Sequence, residues 1–177
     1  MEPWGTCGLF MNIDKLITLL EKGCEIQSGC GRVGIITDDV VYKIPVNING
    51  ALQCKDELRK YFKERRNRKY LAKILDCSCG IITMERLWNT VVKRKGVVTP
   101  EIFDTINLYE RIQIGEDKQG NLKLYDYADT RLYGDKYGSF RDYTRQDLID
   151  YLKYINTNNI ALSNLLLEDY LKEKRNG

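Results

Sequence analysis

The hydrophobic pattern of the first third of the chain predicts one helix followed by short strands. From Asn12 to Gly23 the apolar residues recur at helical spacing, Asn12 is a good N-cap, and Gly23 is placed to end the helix. The following stretch is rich in β-branched residues and glycine, which favours strands. We predict three strands, at residues 25–28, 34–37 and 40–46, with a compact turn at 37–39.

A second amphipathic stretch predicts a helix over residues 51–66. The apolar residues expected to face the core are Leu52, Leu58, Tyr61 and Phe62. Two further strands are predicted at 72–76 and 81–84, on either side of a Cys-Ser-Cys-Gly turn. This order of elements predicts an α+β fold in which residues 25–84 form an antiparallel sheet of about five strands with one helix packed on it.

The second half of the chain carries weaker patterns. The predicted elements are a loop at 93–99, a helix from Pro100 towards Tyr109, a hairpin of strands 111–116 and 121–126, an irregular segment at 129–143, a helix capped by Thr144, and a last helix over 160–174. We therefore expect two units, residues 1–87 and residues 88–177, of which the second is small and mainly helical.

Composition excludes several classes of function. The formal net charge of +3 is too small to indicate a nucleic-acid partner, and no run of about 18 apolar residues predicts a membrane span. Six cysteines without a recognisable secretory leader favour a reducing, cytoplasmic location. The absence of histidine excludes a Ser-His-Asp triad, a Cys-His nucleophile pair and a histidine-ligated metal. Acid–base chemistry would fall to carboxylates, lysine or tyrosine.

The segment from Gly29 to Gly34 matches the pattern G-x-G-x-x-G. That pattern serves two folds, and in the dinucleotide-binding fold the third glycine opens a helix. Here strand-forming residues follow Gly34, so the loop is expected between two antiparallel strands. This arrangement resembles the loop that covers the ATP phosphates in protein kinases, and it makes Gly29, Gly31 and Gly34 candidate nucleotide-binding residues.

Lys43 ends an apolar strand, Val-Val-Tyr-Lys, that resembles the V-A-I-K strand of kinases. A lysine that points inward from such a strand needs a compensating charge. Glu57 in the following helix is the predicted partner, with Asp56 and Glu64 as alternatives. The alternative interpretation is a surface lysine beside an ordinary amphipathic helix.

Residues 81–87 resemble the strand and hinge that hold adenine in kinases. Met84 falls near the gatekeeper position, and Glu85 and Leu87 belong to the hinge whose backbone would face the base. A buried strand that leaves into a loop gives the same pattern.

Together these motifs resemble the protein-kinase-like superfamily over residues 23–87, and the resemblance resumes at residues 112–128. It implies ATP and Mg²⁺ as cofactors and Lys43, Glu57 and Asp126 as the catalytic residues. Asp126 takes the place of the metal-binding aspartate of a D-F-G-like turn, in which Ala128 replaces the glycine. Gln113 falls where an asparagine would bind a second magnesium ion.

The catalytic loop departs from the family. H-R-D-L-x-x-x-N is missing, Leu108 stands where the base is expected, Asn107 is the nearest equivalent, and Asp104 lies one helical turn earlier. General-base assistance contributes about 10²–10⁴-fold, so the departure predicts slow or absent phosphotransfer.

Three functions remain open. The leading interpretation is a kinase-like nucleotide-binding protein with weak or absent phosphotransfer that acts on or through a protein partner. The second is an active, atypical phosphotransferase that uses Asp104, Asp126 or Asp129. The third is a protein-interaction module without nucleotide. The small size of the predicted kinase-like unit would suit a phage or mobile-element protein.

Overall fold

The computed structural model describes residues 12–94, 111–128 and 143–176, and every structural statement below refers to these residues. The helices are α1 (Ile13–Glu21), α2 (Ile48–Lys63), α3 (Arg145–Thr157) and α4 (Leu167–Asn176), with a 3₁₀ turn at Arg68–Tyr70. The strands are β1 (Glu25–Ser28), β2 (Arg32–Ile36), β3 (Val40–Pro45), β4 (Ile74–Ser78), β5 (Ile81–Glu85), β6 (Trp88–Arg94), β7 (Arg111–Glu116) and β8 (Leu122–Asp126).

The first five strands form one antiparallel sheet in the order β1-β2-β3-β5-β4. The predicted α+β class and five-stranded antiparallel sheet are therefore confirmed. Helix α1, which precedes this sheet, begins and ends where the sequence predicts. The Asn12 side chain accepts a hydrogen bond from the Lys15 amide, and Gly23 has a φ of +84° after the helix. The β2–β3 and β3–β5 registers set Gly34 opposite Lys43 and Val41 opposite Met84.

Strand alternation gives this sheet two different faces. One face is apolar and packs against α1, α3 and α4 in a single core; its members include Val33, Ile35, Tyr42, Ile44, Ile81, Leu16, Leu20, Leu148, Leu152 and Leu167. The opposite face carries Arg32, Gly34, Lys43 and Met84 and turns toward α2 and the second sheet.

The C-terminal helices cover the first sheet. Arg145 donates to the carbonyl of Leu20 at 2.9 Å, and the amide of Glu168 donates to the carbonyl of Val46 at 2.9 Å. The nine-residue α1 is short for the apolar face of the sheet, and α3 completes its cover. The division into residues 1–87 and 88–177 stays a prediction, but its second part shares a core with its first.

A second antiparallel sheet, in the order β6-β7-β8, lies beside the cluster formed by α2 and β5. The amide of Ala72 donates to the carbonyl of Leu124 at 2.7 Å, which ties β8 to the chain after α2. The described part of residues 88–177 contains three strands and two helices, and its helices hold more residues than its strands. The expectation of a mainly helical second part stays a prediction. Strand β6 was missed, and it extends over residues 93 and 94, which were expected in a loop.

The largest difference from the predicted elements concerns α2. The helix begins at Ile48 after the cap Asn47, and its buried residues include Gly50, Cys54, Glu57 and Tyr61. Leu52 and Phe62, which were expected in the core, are 39% and 61% exposed. Both lie on the opposite side of the helix. The buried side contains Gly50 and Glu57 instead of these bulky apolar residues.

Other boundaries differ by a few residues. Strand β2 begins at Arg32 instead of Gly34, β4 extends to Ser78, and the last helix begins at Leu167 after a series of turns. The predicted helix from Pro100 and most of the irregular segment at 129–143 lie outside the described residues. None of the described helices is long and apolar enough to cross a membrane.

Candidate functional site

A cleft of about 740 Å³ lies between the first sheet, the loop after β1 and the second sheet. One end is apolar, with Ile36, Val41, Met84 and Leu87 in its walls. The other end is ionic and contains Arg32, Lys43 and Asp126. The cleft therefore combines an apolar end and a charged end within one cavity.

The strand registers explain why these residues meet. Cross-strand partners point to the same face, so the pairs Gly34–Lys43, Ile36–Val41 and Val41–Met84 place five cleft residues side by side. The cleft is lined by all seven predicted nucleotide-binding residues, which are Gly29, Gly31, Gly34, Lys43, Met84, Glu85 and Leu87. The two predicted metal ligands, Gln113 and Asp126, line it as well. Their roles remain predictions.

Lys43 and Glu57 form the ion pair that the sequence predicts. The Lys43 Nζ lies 3.0 Å from Glu57 Oε1 and 3.1 Å from Oε2, and it also donates to the carbonyl of Tyr125. Glu57 is 0% exposed and Lys43 9%. Helix α2 positions the carboxylate, because Glu57 lies on its buried side between Cys54 and Tyr61.

Arg32 is a member of this network that the sequence analysis did not single out. Its guanidinium donates to Glu57 Oε2 at 2.8 Å, to Glu57 Oε1 at 3.2 Å and to Asp126 Oδ1 at 2.7 Å. Burial opposes its charge, but Glu57 and Asp126 outweigh burial and raise the pKa of Arg32, so the guanidinium stays protonated. The sequence offered one indication of this role. Side chains alternate along a strand, so Arg32, two residues before Gly34, lies on the same face as Gly34.

Asp126 is held by protein donors on both oxygens. Oδ1 accepts from Arg32, and Oδ2 accepts from the Gln113 side-chain amide at 3.1 Å. Burial opposes ionisation of Asp126, but the charges of Arg32 and Lys43 prevail and lower its pKa to about 2. The carboxylate is therefore ionised and already paired.

This donor set does not fit the predicted magnesium site. Mg²⁺ requires near-octahedral oxygen ligation, in proteins commonly from one or two carboxylates. Here Gln113 points a nitrogen at Asp126, and the guanidinium of Arg32 lies against the same carboxylate. No cluster of three His, Cys, Asp or Glu side chains suited to a metal occurs within the described ranges.

The loop after β1 packs directly on the start of α2. The carbonyl of Gly31 accepts from the Val46 amide at 2.9 Å, and a Cβ on Gly50 would lie 1.7 Å from that oxygen. Asn47 caps α2 by accepting the Gly50 amide, and its side-chain nitrogen donates to the carbonyl of Cys30 at 3.1 Å. The loop is thus fixed to the helix that carries Glu57.

The turn after β8 is anchored to the same helix. Tyr127 is 0% exposed, and its amide donates to Glu57 Oε1 at 3.2 Å. Lys60 on α2 donates to the carbonyl of Tyr127 at 2.8 Å. The inward tyrosine turns Asp126 toward Arg32 and the cleft.

The catalytic-loop candidates Asp104, Asn107 and Leu108, and the alternative carboxylate Asp129, lie outside the described residues. Their proposed roles in catalysis stay predictions.

No protein-family model and no curated protein sequence matches the chain. Among solved structures, similarity is found to a chain described as SAICAR synthetase (Type-2) in complex with ADP. The identity is 12%, the match covers 58% of this chain and 79% of that chain, and the TM-score is 0.35. A similarity at this level carries no argument for fold or function.

Proposed function

We propose that the cleft binds a purine nucleotide, ATP or ADP, and that the protein is a kinase-like nucleotide-binding protein with slow or absent phosphotransfer. The observation that carries the proposal is the meeting, in one cleft, of the glycine loop, the buried Lys43–Glu57 pair and the strand end at Met84. Apolar walls with a few fixed polar groups are typical of nucleotide-sized sites.

Each end of the cleft suits one part of such a ligand. The apolar side chains of Ile36, Val41 and Leu87 suit a purine ring, and the cations Lys43 and Arg32 suit its phosphates. An anionic ligand would replace part of the carboxylate contact that each cation now makes.

Slow phosphotransfer follows from the state of Asp126. Phosphoryl transfer depends on positioned charge that neutralises the transferring group. Asp126 is engaged by Arg32 on one oxygen and by Gln113 on the other, so a metal would compete with both donors for the carboxylate. We therefore expect the protein to bind nucleotide but to transfer phosphate slowly or not at all. Its biological effect would then be exerted through a protein partner.

Thermal unfolding with and without ATP or ADP tests the nucleotide site. Nucleotide at about 100 times its Kd stabilises a protein by about 2.7 kcal/mol, which corresponds to a rise in Tm of roughly 5–10 °C for a chain of this size. Lys43→Met should remove the rise, whereas the matched surface variant Lys55→Met should keep it, because Lys55 is exposed on α2. No rise for the unmodified protein would contradict the proposal.

Transfer of labelled phosphate to a generic protein acceptor tests the catalytic part. We expect turnover close to background in the same preparation that binds nucleotide. Robust turnover that Asp104→Asn abolishes would favour the active-enzyme alternative and contradict slow transfer.

A second candidate is a protein-interaction role without nucleotide. One side of α2 carries Ile48 and Phe62, which are 65% and 61% exposed. The cations Lys55 and Arg59 lie on the same side of the helix. Mixed apolar and basic helix faces fit acidic amphipathic partners. Absence of any nucleotide effect together with an intact fold would favour this candidate.

A further inference from the structure

The phosphate end of the cleft contains a second buried cation whose position a kinase-like nucleotide site does not require. Arg32 is the first residue of β2, and the β2–β3 register puts it on the face that also carries Lys43. Both side chains are only 9% exposed. Strand geometry, rather than a flexible loop, holds this guanidinium in the cleft.

The charges at this end are balanced. Arg32 and Lys43 share Glu57, and Arg32 also binds Asp126, so two cations face two carboxylates. A divalent cation added here would meet the positive guanidinium on Oδ1 of Asp126 and an amide donor on Oδ2. Binding of Mg²⁺ through Asp126 is therefore opposed by the charge of Arg32 and competes with the Arg32–Asp126 pair.

A guanidinium is also well suited to the task that a divalent cation performs for a nucleotide. It is permanently charged, and its N–H groups donate to phosphate oxygens. Two contacts of Arg32 go to the carboxylate of Glu57, and its contact with Asp126 is the one open to exchange. Exchange of its Asp126 contact for a phosphate oxygen keeps the Glu57 contact and replaces one anionic partner by another.

We propose that Arg32 takes the place of a divalent cation at the phosphate end of the cleft, so that the nucleotide binds as its metal-free anion. This inference rests on the proposed nucleotide site and specifies the form of its ligand. Asp126 is then a positioning residue that holds Arg32 in the cleft until phosphate displaces it.

Calorimetric titration of the full chain with ATP, in excess EDTA and in excess Mg²⁺, tests the inference. We expect the Kd of the unmodified protein in EDTA to lie within about twofold of its Kd in Mg²⁺. Arg32→Ala should weaken binding in EDTA by about tenfold or more and should recover part of the loss in Mg²⁺, because Asp126 is released to bind the metal.

Asp126→Asn provides an independent arm that does not depend on the folding of the arginine variant. If Asp126 only holds Arg32, loss of its charge should tighten ATP binding in EDTA by about fivefold, since one repulsive charge disappears and the guanidinium is released. If Asp126 is a metal ligand, the same variant should weaken binding in Mg²⁺.

The outcomes separate the two claims. Binding that requires Mg²⁺ in the unmodified protein, or that Asp126→Asn weakens, overturns the inference and leaves the nucleotide site standing. Absence of ATP binding in both buffers overturns the nucleotide site itself and the inference with it.

Discussion

At the scale of single residues, Glu57 is the centre of the site. It is fully buried and accepts from Lys43, Arg32 and the amide of Tyr127. A buried carboxylate of this kind is stable only while its cations remain, and the cations in turn depend on it. The Lys43–Glu57 pair was predictable because an apolar strand ending in lysine needs a nearby carboxylate. Arg32 was not, because the same residue in a loop would point to solvent.

Glu57→Gln should destabilise the protein by about 3 kcal/mol, because it leaves two buried cations with one carboxylate fewer. Urea unfolding followed by far-UV circular dichroism measures the change. Glu173→Gln on the exposed end of α4 is the matched control and should change the free energy of unfolding by less than about 0.5 kcal/mol. Equal effects of the two substitutions would contradict the central role of Glu57.

Asp126 gives a second residue-scale prediction, in the pH dependence of stability. Its pKa is about 2 in the folded protein against 3.8 as the ordinary value, so its contribution is present above pH 3.8 and is lost as the pH falls toward 2. The shift corresponds to at most about 2 kcal/mol, and solvent screening of a side chain that is 34% exposed reduces it. Asp126→Asn should be less stable than the unmodified protein at pH 7, and the difference should vanish near pH 2. A difference that persists at pH 2 would show that Asp126 acts through packing.

At the scale of elements, the contact between the glycine loop and α2 shapes the site. Sequence periodicity located the helix and part of its buried side, but it also placed Leu52 and Phe62 there, because it weights bulky apolar residues. Helix α2 instead turns Gly50, Cys54 and Glu57 inward. Close backbone contact, rather than side-chain burial, fixes this side. It brings the carboxylate of Glu57 under both cations of the sheet.

Gly50→Ala tests that contact. In an isolated helix the change stabilises by about 1 kcal/mol. Here the added Cβ would overlap the carbonyl oxygen of Gly31, so the loop or the helix must move and the protein should lose about 1–3 kcal/mol. Urea denaturation measures the sign, and Asn49→Ala at the neighbouring helical position is the control, expected to change stability by less than about 0.5 kcal/mol. A gain in stability for Gly50→Ala would contradict the close approach.

At the scale of the whole molecule, helix α1 and the helices α3 and α4 stabilise one sheet. The five antiparallel strands were predictable from alternating strands and turns, since each hairpin pairs residues close in sequence. The pairing of β3 with β5 was not, because it joins residues far apart in the chain. The packing of α3 on the same sheet was not, because an amphipathic helix does not specify which apolar face it covers. The two parts expected to be separate share the core that contains Val33, Ile35 and Leu152.

Leu152→Ala should therefore weaken the first sheet as well as α3. Leu152 is 0% exposed, and truncation of such a residue costs about 2–5 kcal/mol. Hydrogen exchange should show faster exchange of β2, β3 and α3 by a similar factor, as expected for one cooperative unit. Loss of protection in α3 with unchanged β2 and β3 would instead indicate two independent units.

The most direct measurement of the central claim, that the cleft is a nucleotide site, is the response of the Met84 methyl group. The chain has three methionines, and among the described residues Met84 lies in the cleft wall, 1% exposed at the apolar end. In a ¹³C-methyl-methionine NMR spectrum, with Met84→Leu for assignment, ATP should shift the Met84 signal in a saturable manner. The shift should disappear in Lys43→Met and persist in Lys55→Met. A Met84 signal that stays unmoved at millimolar ATP would contradict the claim.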